Sequence, residues 1–246
     1  MKKAIIAQYF DTVHQALQKA QETQTAVVQQ AAQLTAQRLM AGNILHVFGT
    51  GHSHILAEEI FFRAGGLVQV NAILDPALML HLSASKSTDL ERLENYARIV
   101  LQRYDLRPGD VLLVVSNSGR NAVPIEAALY AREHGLHVIA MTSAAAYAAL
   151  PSRHPSGKKL GDVAELVIDT CVPEGDASLS LPGLEQRFGP LSTILGSALL
   201  QAYICAIIET MLQHQVQPRV LISANVERGQ DHSALFEEYR ARIRHF

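Results

Sequence analysis

Two short stretches hold the residue types that could do chemistry. An apolar run, Val111 to Val115, stops at Ser116-Asn117-Ser118-Gly119-Arg120-Asn121, and a helical pattern follows. Earlier, the apolar run 44–48 meets Gly49-Thr50-Gly51-His52-Ser53, again just before a helical pattern. In both, glycine permits a tight turn and small hydroxyl or amide side chains stand where a helix begins. A helix N-terminus offers free backbone N–H groups and a partial positive charge, and neighbouring hydroxyls add donors; together these suit a phosphate. One such turn alone also reads as ordinary capping, by Ser118 or Asn121. Two of them, at the ends of neighbouring strands, would converge on one anion.

Neither turn is a nucleotide motif. No G-K-[ST] occurs, so there is no Walker loop. "GTGHSH" lacks the third glycine of a dinucleotide fingerprint, and the end of the second strand shows no acidic residue placed for a ribose before Asp75. No cofactor is expected. His52 and His54 form a His-x-His pair, but no nearby Cys or second pair supports a metal, so none is expected.

The elements that must position these turns follow from periodicity. Residues 2–40 are rich in Ala, Gln, Leu and Val and read as one long helix, or two with a break near 21–25. Strands are expected at 44–48, 67–73, 111–115, 137–142 and 165–170, with helices over 55–64, 87–105, 121–133 and about 191–214. The second of these helices has a capping pattern at Ser87 or Thr88. Residues 173–190 read as loop, and "RVLISAN" near the end as a last extended piece. Alternating strands and helices predict an α/β fold, a parallel sheet covered on both faces, and continuous apolar strands such as "VLLVV" fit double burial. Ligands of such sheets bind beyond the carboxyl ends of the strands, where strand order reverses. That rule puts 49–54 and 116–121 at one site.

Composition excludes several classes. The chain has 246 residues, 48% hydrophobic and 18% charged, with a formal net charge of −2 and no block of like charge. This is a globular composition, without a nucleic-acid-binding surface or an acidic tail. The apolar run after Met1 is too short for a signal peptide, and "ILGSALLQAYICAIIETML" carries Gln201 and Glu209, so no membrane span and a cytoplasmic location are expected. Cys171 and Cys205 show no zinc or disulfide spacing and read as buried thiols. Lys158 and Lys159 tip a Pro- and small-residue stretch that could form a lid, though solvated surface charges are the simpler reading.

On the two turns, Gly49-Thr50-Gly51-His52-Ser53 and Ser116-Asn117-Ser118-Gly119-Arg120-Asn121, the chain resembles the sugar isomerase (SIS) domain proteins, nearest the single-domain phosphoheptose-isomerase-like group. The family pattern is a glycine-rich turn ending in Ser after the first strand, then Ser-x-Ser-Gly-x-[Ser/Thr] after the third. The resemblance implies a three-layer αβα sandwich of flavodoxin type with a five-stranded parallel sheet. It spans residues 41–215, with N-terminal helices in 1–40 and a C-terminal segment, 216–246. It further implies a phosphate held by Ser53, Ser116, Ser118 and Asn121, with Gly51 and Gly119 shaping the turns. Asn121 replaces the usual Ser or Thr, and an amide can still donate.

The implied ligand is a phosphorylated sugar or amino sugar. Aldose–ketose isomerisation needs a base between C1 and C2 and an acid for ring opening. Glu59 is the favoured base, although Glu59 and Arg63 are four apart and equally form a surface ion pair. His52 would line the sugar pocket and open the ring; Asn117, His81, Ser192, Thr193 and His232 are further candidates for the sugar. His81 and the polar segment around Asp231 and His232 read equally well as loop and tail. Counting from Ser53, the positions that carry a metal-binding His and Glu in phosphoheptose isomerases are Glu59 and Arg63 here, so that pair is not reproduced. The start of the long C-terminal helix, where other members hold a base, has Ser192 and Thr193 and no carboxylate. Three functions stay open: an isomerase, an amino-sugar-phosphate lyase, etherase or deaminase, and a non-catalytic sensor. A homodimer or dimer of dimers is expected, because 191–214 is apolar nearly all round and would be buried on two sides.

Overall fold

The computed structural model describes residues 4–223, 225 and 233–246. Five strands, β1 (Leu45–Gly49), β2 (Val70–Ile73), β3 (Val111–Val115), β4 (His137–Thr142) and β5 (Leu166–Asp169), form one parallel sheet in the order β2-β1-β3-β4-β5. The helices are α1 (Ile5–Met40), α2 (Ser53–Ile60), α3 (Ala84–Leu90), α4 (Tyr96–Leu101), α5 (Ala122–Glu133), α6 (Ala144–Ala149), α7 (Leu160–Val163), α8 (Ser192–Gln213) and α9 (Ser233–Tyr239). This is the three-layer α/β architecture expected, and all five strand positions match, with the second shortened from 67–73.

The strands sort their side chains by parity, as a pleat requires. Leu45, Val47, Val111, Leu113 and Val115 face α1, α2 and α8, where Ala31, Ala32, Leu200, Tyr203 and Ile207 close one core. Phe48, Leu112, Val114, Val138 and Ala140 face α4, α5 and α7, where Leu101, Val123, Ile125 and Leu160 close the other. α1 lies along α8, and the buried Tyr203 hydroxyl is hydrogen-bonded to Thr35 across that seam. Among the described residues α8 is the one helix long and apolar enough to cross a bilayer, and 50% of that stretch is buried in the fold.

Several local expectations are corrected. Residues 5–40 form one continuous helix with no break at 21–25. The helix expected over 55–64 ends at Ile60, because Phe61 turns extended and Phe62 takes φ 52. There Phe61 and Phe62 meet Phe246, and Phe62 meets Phe236, in an aromatic cluster that draws the chain off the helix axis. The helix expected over 87–105 is two helices, α3 and α4, divided by Asn95 at φ 65, whose N–H is accepted by Glu126 at 2.7 Å. Its cap is Ser83, which accepts from Lys86 N, while Ser87 is buried and donates to Leu78 O. Residues 173–190 contain an antiparallel hairpin, β6 (Ala177–Leu179) and β7 (Phe188–Pro190). It is pinned where Asp176 accepts from Leu191 N and Ser192 N. "RVLISAN" contributes an isolated bridge, Val220 to Leu67. Cys205 is exposed on α8 and Cys171 half-buried, so neither is a fully buried thiol.

The C-terminal segment returns to the opposite end of the sheet from the two turns. Asp110 and His46 are fully buried there and bonded at 3.1 Å. Ile44 N and Arg107 N also donate to Asp110, and Arg242 donates to both of its oxygens at 3.0 and 2.7 Å. Burial opposes ionisation of Asp110, yet the His46 bond and charge and the backbone donors prevail and hold its pKa down to about 2.

Candidate functional site

The two turns stand side by side. β1 and β3 are neighbours in register Gly49↔Val115, so the chain leaves both strands at the same level. Strand order reverses between them: the chain runs from β1 outward to β2, then returns to β3. This is the switch point at which open α/β sheets leave a crevice.

Each turn has a physical reason for its sequence. A Cβ on Gly49 would stand 2.5 Å from the backbone oxygen of Ser53, so only glycine lets α2 start so close to β1. Gly119 has φ +59, and a Cβ there would meet Thr142 Oγ1 at 2.8 Å. Ser116 Oγ accepts from Gly119 N at 3.2 Å, closing the second turn on itself. Asn117 O accepts from Ser143 N and from Thr142 Oγ1, which fastens that turn to the end of β4.

Between the turns lies a narrow cleft lined by His52, Ser53, Leu56, Asn117, Thr170, Ser192 and Thr193, with a volume of about 10 Å³. Five sequence candidates thus share one small site. His52 is exposed at its rim, and Ser53 opens α2. Ser192 and Thr193 open α8, where Ser192 Oγ donates to Asp176 at 2.6 Å. Thr170 was not singled out from sequence; its hydroxyl donates to Asn117 Oδ1 at 3.3 Å and so orients that amide. Leu56, also missed, meets α8 where Gly196 lets the helices approach: a Cβ on Gly196 would lie 2.6 Å from Leu56 Cδ1.

Other candidates lie outside the cleft lining. Glu59 is one turn below Leu56, where Oε2 accepts from Arg63 at 3.2 Å and Oε1 from Gln201 at 3.1 Å. His81 is exposed beyond the short helical turn 76–78. Ser118 is half-buried in the second turn, next to the buried Ser116. Asp231 and His232 lie outside the described residues. Lys159 lies at the start of α7, in cation–π contact with the Tyr147 ring. Among the described residues no group of three or more His, Cys, Asp and Glu is arranged to hold a metal ion.

Asn121 stands at the N-cap of α5 without capping it. Its amide instead donates to Glu91 Oε1 at 2.6 Å, and its carbonyl accepts from Arg153 at 3.0 Å. Glu91 also accepts from Thr50 Oγ1 at 2.9 Å, so this one carboxylate bridges the two turns. Burial pushes the Glu91 carboxyl above its ordinary range, against the Thr50 bond and the charges of Arg92 and Arg153. From sequence, Glu91 was one acidic residue among several on the helix expected over 87–105; its partners are 30 and 41 residues away. No local signal marks it.

Residues 8–143 match the model of the SIS domain. The chain belongs to the SIS-domain family. This SIS-domain chain is 44% identical over 241 residues to a UPF0309 protein of Caldanaerobacter subterraneus subsp. tengcongensis, covering 96% of this chain and 98% of that one. It is 42% identical over 240 residues to a UPF0309 protein of Listeria monocytogenes serotype 4b, covering 97% of each. Among solved structures it shares its fold with a phosphoheptose isomerase from Neisseria gonorrhoeae, at TM-score 0.55 and 23% identity over 83% of this chain and 97% of that one. A phosphoheptose isomerase from Francisella tularensis follows at TM-score 0.53 and 17% identity, over 83% and 96%.

Proposed function

We propose that this SIS domain binds a phosphorylated sugar or amino sugar in the cleft at the switch point and isomerises it between aldose and ketose through an enediol. The observation that carries the reading is the convergence of two glycine- and hydroxyl-bearing turns across the Gly49↔Val115 register, with the N-termini of α2 and α5 behind them. Helix N-termini and uncharged hydroxyls are the chemistry of phosphate recognition. Ser53, Ser116 and Ser118 hold the phosphate, with Gly51 and Gly119 shaping the turns and Asn121 beside them, engaged with Glu91 and Arg153. Asn117, Ser192 and Thr193 face the sugar. His52, at the rim, opens the ring, and Glu59 moves the proton between C1 and C2. The matching family model and the phosphoheptose isomerases that share the fold support the substrate class.

In heavy water with hexose, heptose or amino-sugar phosphates, the protein should wash deuterium into C1 or C2. Glu59→Gln should slow that exchange about a hundredfold or more, the scale for losing a positioned base. Phosphate affinity should stay nearly unchanged. Bond cleavage without exchange would point instead to a lyase, etherase or deaminase on the same cradle.

A specific observation favours a second reading, a non-catalytic sensor of the same ligand. Among the described residues no carboxylate lines the cleft, and both Glu59 oxygens already accept hydrogen bonds from Arg63 and Gln201. Tight binding with neither exchange nor cleavage would decide for it.

A further inference from the structure

The residues lining the cleft carry no formal charge, yet a phosphate ester is close to a dianion at neutral pH. Two arginines attach to the second turn. Arg120 belongs to it, and Arg153 reaches it from the segment between α6 and α7. Arg153 is fixed twice: its N–H donates to Arg120 O at 2.8 Å, and Nη1 donates to Asn121 Oδ1 at 3.0 Å. The bond to Asn121 uses one of the five N–H donors of a guanidinium. Burial, then the charges of Arg120 and Arg92, lowers the Arg153 pKa.

The residue at 121 explains why. A Ser or Thr there would offer one hydroxyl to a phosphate. Asn121 turns its amide N–H toward Glu91 and its carbonyl toward Arg153. A carbonyl cannot donate to an anion, but it can hold a group that does.

Resting on the phosphate reading above, we infer that Arg153 is a phosphate-binding residue of this chain, presented to the cradle by the Asn121 carbonyl, and that Asn121 itself acts by positioning it. The recognised group is a dianionic phosphate ester. Charge-assisted bonds from a planar guanidinium discriminate such an ester from an uncharged sugar more strongly than hydroxyls do.

The test measures affinity for inorganic phosphate and a hexose 6-phosphate by calorimetry on the whole 246-residue chain, in Arg153→Gln, Arg153→Lys, Asn121→Ala and the Arg153→Gln/Asn121→Ala double variant. Arg153→Gln should lose tenfold or more in affinity for both probes, Arg153→Lys less, and the melting temperature without ligand should stay within about a degree, since Arg153 is exposed. Asn121→Ala should lose a similar factor, and the double variant should lose no more than the worse single one, because the two act as a unit. If Arg153→Gln binds both probes as the parent does, or if the two losses add, the inference is overturned while the cradle of Ser53 and Ser118 stands. If the parent binds neither probe, the phosphate reading itself fails and this inference with it.

Discussion

At the scale of single residues, the account rests on hydroxyls at two turns. Ser53 lines the cleft, while Ser118 and the buried Ser116 belong to the turn beside it. Ser118→Ala and Ser53→Ala should each weaken sugar-phosphate binding by roughly 1 to 3 kcal/mol, the range for losing one hydrogen bond to a charged group. Titration calorimetry checks this, and unchanged affinity in both variants would remove the serines from the site. The two turns were legible as turns because glycine and serine cluster where an apolar strand stops. Glu91 was not legible: its role arises from Thr50 and Asn121, brought to it by the β1–β3 pairing. Asn121 was read as a cap or a phosphate donor, and only the folded partners show that both ends of its amide are engaged.

At the scale of elements, the strands were legible and the interruptions were not. A doubly buried strand is read from a run of apolar residues; β3 is apolar throughout, and β1 and β4 are apolar but for His46 and for His137 and Thr142. The break at Asn95 and the early end of α2 depend on Glu126 and on an aromatic cluster that includes Phe236 and Phe246, far away in sequence. The hairpin β6–β7 has three residues per strand, too short for a periodic signal. The strand-to-helix junction offers the sharpest element test. Gly49→Ala places a methyl against the Ser53 backbone, so α2 must move outward at its first turn. A stability loss of roughly 1 to 3 kcal/mol is expected from such overpacking. Sugar-phosphate affinity should fall with it, because Ser53 moves too. Denaturant unfolding and calorimetry on the same variant report the two effects; a loss of stability with unchanged affinity would separate Ser53 from the ligand.

At the scale of the molecule, acid should loosen the end of the sheet opposite the site. The Asp110 pKa is about 2 in the fold against an ordinary 3.8. A depressed carboxyl stabilises the fold fully above the unfolded value, and the contribution disappears as pH falls through the folded one. It is therefore whole above about pH 4, of order 2 kcal/mol, and gone near pH 2. Urea unfolding of the parent and of Asp110→Asn at pH 7, 4 and 2.5 should show their stabilities converging as pH drops. Assembly is the other whole-molecule property. A groove of small apolar residues, including Ala20, Val28, Ala198, Ala202 and Ala206, runs between α1 and α8, and Ile6, Phe10 and Leu212 are exposed on these helices. A homodimer or dimer of dimers packed through these helices is expected, and light scattering at micromolar concentration should show no monomer.

The central claim concerns what the whole chain recognises at its switch point. Titration calorimetry of the parent protein against matched pairs of sugar and sugar phosphate (hexose, heptose and amino sugar) tests it most directly. The account predicts that at least one phosphate ester binds, and that its unphosphorylated partner binds at least a hundredfold more weakly, about 2.7 kcal/mol. Equal affinity within every pair, or no binding of any ester, would contradict it.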